Sequence, residues 1–239
     1  MTENNNGTIK LKDVAKIYPN GVAALQDISL TVQTGEFVYL VGQSGAGKST
    51  LVKLLYRELT PTNGEIVVNG FDLRNIRERE VPKLRRTLGV VFQDFKLLPK
   101  MTVAENIGYA LQVLGKSNEE IQSAVAQVLA EVDLQAQADR FPDELSGGQQ
   151  QRIAIARAIV NSPQIVIADE PTGNLDPKTS EGIMTIFQRI NENGTTVIMA
   201  THNQQIVDEL PHRVIEVAGG RIIRDEEGGQ YTHELDDNA

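Results

Sequence analysis

Short apolar runs that alternate with helical patterns predict an α/β fold, a mostly parallel sheet flanked by helices. Two departures from that alternation refine the class. Ile9–Val14 and Ala24–Val32 are rich in alternating apolar residues, which predicts an N-terminal antiparallel β subdomain laid against the main sheet and joined by Glu65–Asn69. From Phe95 to Leu145 the strand signal is absent, which predicts an all-helical lobe, roughly residues 95–158, inserted in the α/β core.

In chain order the main-sheet strands are expected at Glu36–Val41, Gly89–Phe92, Gln164–Ala168, Thr195–Ala200 and Arg213–Val217. In the lobe, Thr102–Leu114 carries Val103, Ile107, Leu111 and Leu114 at helical spacing, and Asn118–Val132 carries Ile121, Val125, Val128, Leu129 and Val132. Ser117 and Asn118 ahead of Glu119 and Glu120 mark the start of the second of these helices. No internal repeat or low-complexity linker divides the chain, so residues 8–224 read as one domain followed by an acidic tail, 225–239.

Composition sets limits on function. The net charge of −9 opposes a nucleic-acid-binding role, which needs a basic footprint. Asp225, Glu226, Glu227, Glu234, Asp236 and Asp237 supply six of those charges with no Lys or Arg among them, so the body is near neutral and the tail is expected to be solvated and frayed. No segment approaches the run of about 18 apolar residues that crosses a bilayer. The polar, Asn-rich start lacks the basic and apolar regions of a secretory signal, and the absence of cysteine removes disulfide and thiolate chemistry.

Gly42, Gln43, Ser44, Gly45, Ala46, Gly47, Lys48, Ser49 and Thr50 fit the phosphate-loop pattern, a glycine and four residues followed by Gly-Lys-Ser. The glycines let successive N–H groups turn inward toward phosphate oxygens, and the helix that follows adds its positive end. Lys48 can reach the β- and γ-phosphates, and the Ser49 hydroxyl can join a Mg²⁺ shell. The flanks fit: an apolar strand runs into the loop and a helix, Ser49–Leu55, leaves it. The core is therefore of the P-loop NTPase kind.

Ile165–Ala168 is a buried-strand run that ends in Asp169 and Glu170. Adjacent residues at a strand end diverge, so Asp169 can hold Mg²⁺ through its waters while Glu170 polarises the attacking water as general base. Gln93 and His202 each follow a strand expected to run parallel to the P-loop strand, and ligands of such sheets bind at the strands' carboxyl ends. That brings a metal- or water-contacting amide and a γ-phosphate-contacting imidazole to one crevice. Leu145 to Arg152, reading Leu-Ser-Gly-Gly-Gln-Gln-Gln-Arg, precedes a helix expected at Ile153–Val160. Ser146 can cap it, and its glycines leave N–H groups bare for an anion.

Together these motifs resemble the ABC-transporter ATPases over nearly the whole chain, Ile9 to Arg224. The resemblance implies that Tyr18 stacks on adenine and that Ser146, Gly147, Gly148 and Gln149 close over ATP held by a second subunit. Asn174-Leu175-Asp176 is then the loop crossing between sites, with Asp176 as a further contact in trans. Two ATP molecules would be sandwiched in a head-to-tail homodimer that forms on ATP binding. Tyr18–Gly21, Gly35–Val38, Tyr56–Glu58, Leu84–Arg86, Gly89–Leu98, Ala168–Pro177 and Ala200–Asn203 resemble the FtsE group of cell-division ATPases most closely. Gln149 departs from that group, which usually reads Glu there. Gln is common in macrolide and lipoprotein-release exporters, whose ATPases are the alternative assignment. The FtsE resemblance implies the integral membrane partner FtsX, a peripheral place on the cytoplasmic face of the cell membrane, and activation of peptidoglycan hydrolases in septation. Phe95, Leu97, Leu98 and Met101 are expected to line the groove for the partner's coupling helix, with the core of the lobe as the other reading.

Overall fold

A computed structural model describes residues 9–231. Its elements run β1 (Ile9–Ile17), β2 (Ala23–Val32), β3 (Phe37–Val41), α1 (Lys48–Leu55), β4 (Asn63–Val68), β5 (Phe71–Asp72), α2 (Val81–Arg85) and β6 (Leu88–Val91). The helical section follows as α3 (Val103–Val113), α4 (Asn118–Glu131) and α5 (Gly147–Ile159). The chain then returns to the sheet through β7 (Ile165–Asp169), α6 (Pro177–Glu192), β8 (Thr196–Ala200), α7 (Gln204–Glu209), β9 (Arg213–Ala218) and β10 (Arg221–Glu226).

Two sheets form. The first, in order β2-β1-β4-β5, is antiparallel, and the second runs β10-β9-β3-β8-β7-β6 with parallel pairing from β9 to β6. The pleat of the second sheet divides two apolar clusters. Val38 and Leu40 of β3, Ile165 and Ile167 of β7, and Ile198 and Ala200 of β8 pack with the antiparallel sheet and α1. Their neighbours Phe37, Tyr39, Val41, Val166, Ala168, Val197 and Met199 pack with α6 and the helical lobe. Strands buried on both faces read as unbroken apolar runs, which is why β3, β7 and β8 were legible.

The helices are held unevenly. α6 buries Ile183, Met184, Ile186, Phe187 and Ile190, whereas α4 fully buries only Val125, Val128 and Leu129. At roughly 1.5–3 kcal/mol per buried apolar side chain, α4 is the more loosely attached of the two. α5 ties lobe to sheet: Gly89 of β6 lies so close that an added Cβ would stand 2.5 Å from the Ala158 carbonyl oxygen.

Two boundaries differ from expectation. α5 begins at Gly147, not Ile153, because Ser146 and Gln149 form a reciprocal capping box that winds the glycines into the first turn. The expected tail boundary at 224/225 falls inside β10. Asp225 and Glu226 pair with Ile215 and Val214, and Arg213 binds Asp225 through two bonds of 2.6 and 2.7 Å. Charged, alternately exposed β10 looks like solvated chain until its partner strand is known. Of the remaining acids of the expected tail, Glu227 follows β10, and Glu234, Asp236 and Asp237 lie outside the described residues, as does Thr8.

Candidate active site

β3 ends at Val41, and the loop from Gly42 to Gly47 carries the chain into α1. Gly47 takes φ 117°, and a Cβ there would meet the Ala24 carbonyl oxygen at 2.7 Å, so the position needs glycine on two counts. Lys48 is buried, its Nζ donating to the carbonyls of Gly42 (2.7 Å) and Gln43 (3.3 Å). That ammonium stands 3.9 Å from Glu170 Oε1, across the mouth of the loop.

The acid pair diverges as the strand end requires. Ser49 Oγ donates to Asp169 Oδ1 at 3.2 Å. Burial pushes the Asp169 carboxyl above its ordinary value; the Ser49 bond opposes the shift and the Glu170 charge adds to it. Glu170 takes φ 52°, a left-handed conformation rare outside glycine, which turns its side chain away from Asp169's side. Glu170 Oε2 accepts from the His202 backbone N–H at 3.3 Å and lies 2.8 Å from His202 Nδ1. The bond to Nδ1 orients the imidazole and leaves Nε2 for another partner.

Ser44, Gly45, Gly47, Lys48, Ser49, Thr50, Gln93, Glu170 and His202 line one open cleft of about 820 Å³, with Tyr18 on its wall. Tyr18 lies 3.1 Å from the Thr50 hydroxyl through its own, and Lys16 Nζ stands 5.6 Å from its ring centre. Thus Lys48, Ser49, Gln93, Glu170 and His202 meet in one cleft, Asp169 joins them through Ser49, and Gln43 and Ala46 line a smaller pocket beside Ser44 and Gly45. The wall also includes Gly219 and Gly220 of the β9–β10 turn, and Val22 to Ala24. Those were not singled out from the sequence: a Gly-Gly pair reads only as a turn, and the Gly220 N–H that donates to Ala46 O (3.0 Å) lies 174 positions away.

Other expected site residues lie apart from the cleft. Ser146 caps α5, with Gln149 Oε1 accepting from the Ser146 N–H at 3.0 Å. Asp176 caps α6, accepting from Thr179 N–H and Oγ, and these bonds hold its carboxyl below the ordinary range. Gly147 and Leu175 are neighbours, since a Cβ on Gly147 would stand 3.7 Å from Leu175, so the glycine-rich turn and the loop before α6 form one surface. Of the four residues expected to meet a partner, Leu97 packs against the apolar core and Phe95 lies over Gly147, while Leu98 and Met101 are half-buried.

The geometry agrees with known proteins. The profile described as ABC transporter matches residues 25–173. The cell division ATP-binding protein FtsE of Bacillus subtilis is 57% identical over 223 residues, covering 93% of this chain and 98% of that protein. The FtsE proteins of Mycobacterium tuberculosis (52%, covering 93% and 97%) and Escherichia coli K12 (44%, covering 90% and 96%) match comparably. The chain belongs to the FtsE group of the ABC transporter family.

Solved structures agree with the fold of that family. A dimeric post-hydrolysis state of the ATP-binding cassette MJ0796 with ADP and Pi aligns with a TM-score of 0.85 at 37% identity, covering 92% of this chain and 99% of that one. The cbiO1 protein of Clostridium perfringens aligns with a TM-score of 0.86 at 29% identity, covering 93% and 89%. The chain is therefore an ABC ATPase. The exporter alternative raised by Gln149 is not favoured by these relatives.

Proposed function

We propose that this chain is the ATP-hydrolysing subunit of an FtsE–FtsX complex, working as a head-to-tail dimer on the cytoplasmic face of the cell membrane. Its output is then mechanical, passed through FtsX to peptidoglycan hydrolases during division. The observation that carries the reading is the separation of two anion sites. The phosphate loop lines the cleft, whereas Ser146, Gly147, Gly148, Gln149 and Asp176 are not among the residues that line it. A second copy would complete each site, and the name of the relatives, cell division ATP-binding protein, supplies the process.

Ser49, Asp169 and Gln93 offer oxygen donors of the kind a hard cation takes, and Asp169 is half-buried with a raised pKa, a carboxylate that gains from a cation beside it. Among the described residues no group of three or more His, Cys, Asp or Glu could hold a metal alone. This suits Mg²⁺, which keeps waters and substrate phosphates in its shell. Ser49, Asp169 and Gln93 would hold Mg²⁺, which would supply neutralisation of phosphate charge. Glu170 takes the proton of the attacking water at a carboxylate oxygen, and His202 fixes that carboxylate through Nδ1 and offers Nε2 to the γ-phosphate. Lys48 exchanges its carbonyl partners for phosphate oxygens. Cleavage removes the phosphate bridge between copies, which opens the dimer.

The test is affinity capture from native membranes with identification of the co-purifying membrane protein, FtsX being expected. Leu98, half-buried with its backbone pinned by Asn106, supplies the second arm. Leu98→Glu should lose the captured partner while ATPase activity stays within twofold. Capture of an exporter permease, or undiminished capture by the variant, would count against the complex or the contact respectively. Among the described residues no helix is long and apolar enough to cross a membrane, so membrane attachment in this reading runs through the partner.

A further inference from the structure

Arg157 lies in the last turn of α5. Its Nη1 donates to the Lys96 carbonyl at 2.6 Å and its Nη2 to the Phe95 carbonyl at 2.8 Å. Burial pushes the guanidinium below its ordinary value, and no carboxylate offsets that shift among the described residues. A partly desolvated charge is costly to hold, and here it is directed wholly at two backbone oxygens.

Those oxygens belong to an unusual turn. Phe95 and Lys96 both have positive φ, 56° and 50°, and two consecutive non-glycine residues in the left-handed region need surrounding contacts to persist. The Lys96 N–H closes the turn on Asp94 O. The Phe95 ring reaches the opposite end of α5, where a Cβ on Gly147 would stand 4.0 Å from it. Gly147 and Arg157 are ten positions apart, about 15 Å along a helix, so one rigid element grips one turn at two points. Gln93, in the cleft, is two residues ahead of that turn.

We propose that Arg157 is a positioning residue for ATP turnover: it fixes the Phe95–Lys96 turn on α5, so that Gln93 and the Ser146–Gln149 turn keep one relative position. The inference rests on the reading of Ser146–Gln149 as the edge that closes over the nucleotide of a second copy. Without the two donors the left-handed pair relaxes toward ordinary backbone angles and Gln93 leaves its place. The phosphate loop is untouched, because β3 and α1 set it independently of α5. Turnover should therefore suffer while nucleotide binding does not. A residue that only stabilised the fold would affect both.

The experiment uses the full chain with Mg-ATP, as wild type, Arg157→Ala and Arg157→Lys. It measures steady-state turnover, affinity for a fluorescent ATP analogue, and amide hydrogen exchange by peptide. Expected for Arg157→Ala are a loss of about tenfold in turnover, nucleotide affinity within twofold of wild type, and faster exchange confined to residues 94–101. Lysine, which can satisfy one carbonyl, should recover part of the turnover. Wild-type turnover in Arg157→Ala overturns the proposal. Faster exchange across α5 and the sheet with joint loss of affinity also overturns it, assigning Arg157 to stability. A wild-type chain that hydrolyses ATP without dimerising overturns the two-copy reading instead, which separates the two failures.

Discussion

Glu170 and Asp169 are adjacent in sequence, yet their surroundings give them different work. Glu170 is held by His202 at 2.8 Å and faces Lys48 across the loop mouth. Glu170→Gln keeps the size and hydrogen bonding of the side chain but removes its basicity. It should bind ATP with near-normal affinity and lose on the order of 10²–10⁴ in turnover by steady-state phosphate release. Asp169 gives a prediction of opposite flavour. Folding raises its pKa, so its ionised form costs stability above that pKa, and the cost is relieved as pH falls through it. Asp169→Asn should therefore raise the melting temperature of the nucleotide-free chain, by a margin that is largest at high pH and narrows on acidification, while Mg²⁺-supported turnover is lost. Thermal melts across pH check the first part; a variant less stable than wild type at pH 8 would contradict it.

At the scale of elements, Arg213 shows how the sheets are joined. From β9 it reaches Asp225 on β10, Glu36 ahead of β3 (2.7 Å) and the Thr31 carbonyl on β2 (2.9 Å), and these carboxylates hold its guanidinium above the ordinary range. Removing it strands a partly buried carboxylate, Glu36, and an exposed one, Asp225. Arg213→Ala should lower the unfolding free energy by roughly 3 kcal/mol in urea titrations, with β10 and the antiparallel sheet loosening first in hydrogen exchange. A loss below about 0.5 kcal/mol would mean the network acts only as a solvated surface pair. The capping box on α5 belongs to this scale too. It explains why the glycine-rich turn is helix here, although sequence placed the helix six residues later.

Over the whole molecule, one copy is proposed to be half of a two-copy working unit. With ATP as the bridge and turnover blocked, Glu170→Gln should elute as a dimer on size exclusion, while the wild-type chain without nucleotide elutes as a monomer. Persistence of a dimer without ATP would place its cohesion in protein contacts instead of phosphates.

The phosphate loop, the acid pair, Gln93, His202 and the strands beneath them were legible because each is a local pattern. A buried parallel strand is an unbroken apolar run, and a phosphate cradle is made of consecutive backbone N–H groups. The cleft's other wall was not legible. Gly220 leans on residues near 24 and 46, and no local signal encodes that approach. Nor was the role of Arg157, whose partners lie 61 and 62 positions away, or the strand character of Asp225 and Glu226, which needs Arg213 beside it. Sequence alone determined the family and the ATPase activity and named the residues proposed to perform it, since that chemistry is written in contiguous motifs. Tertiary structure decided which surfaces those motifs face and how the turn after Gln93 is tied to α5, because those facts depend on long-range contacts between charged groups, carbonyls and glycines.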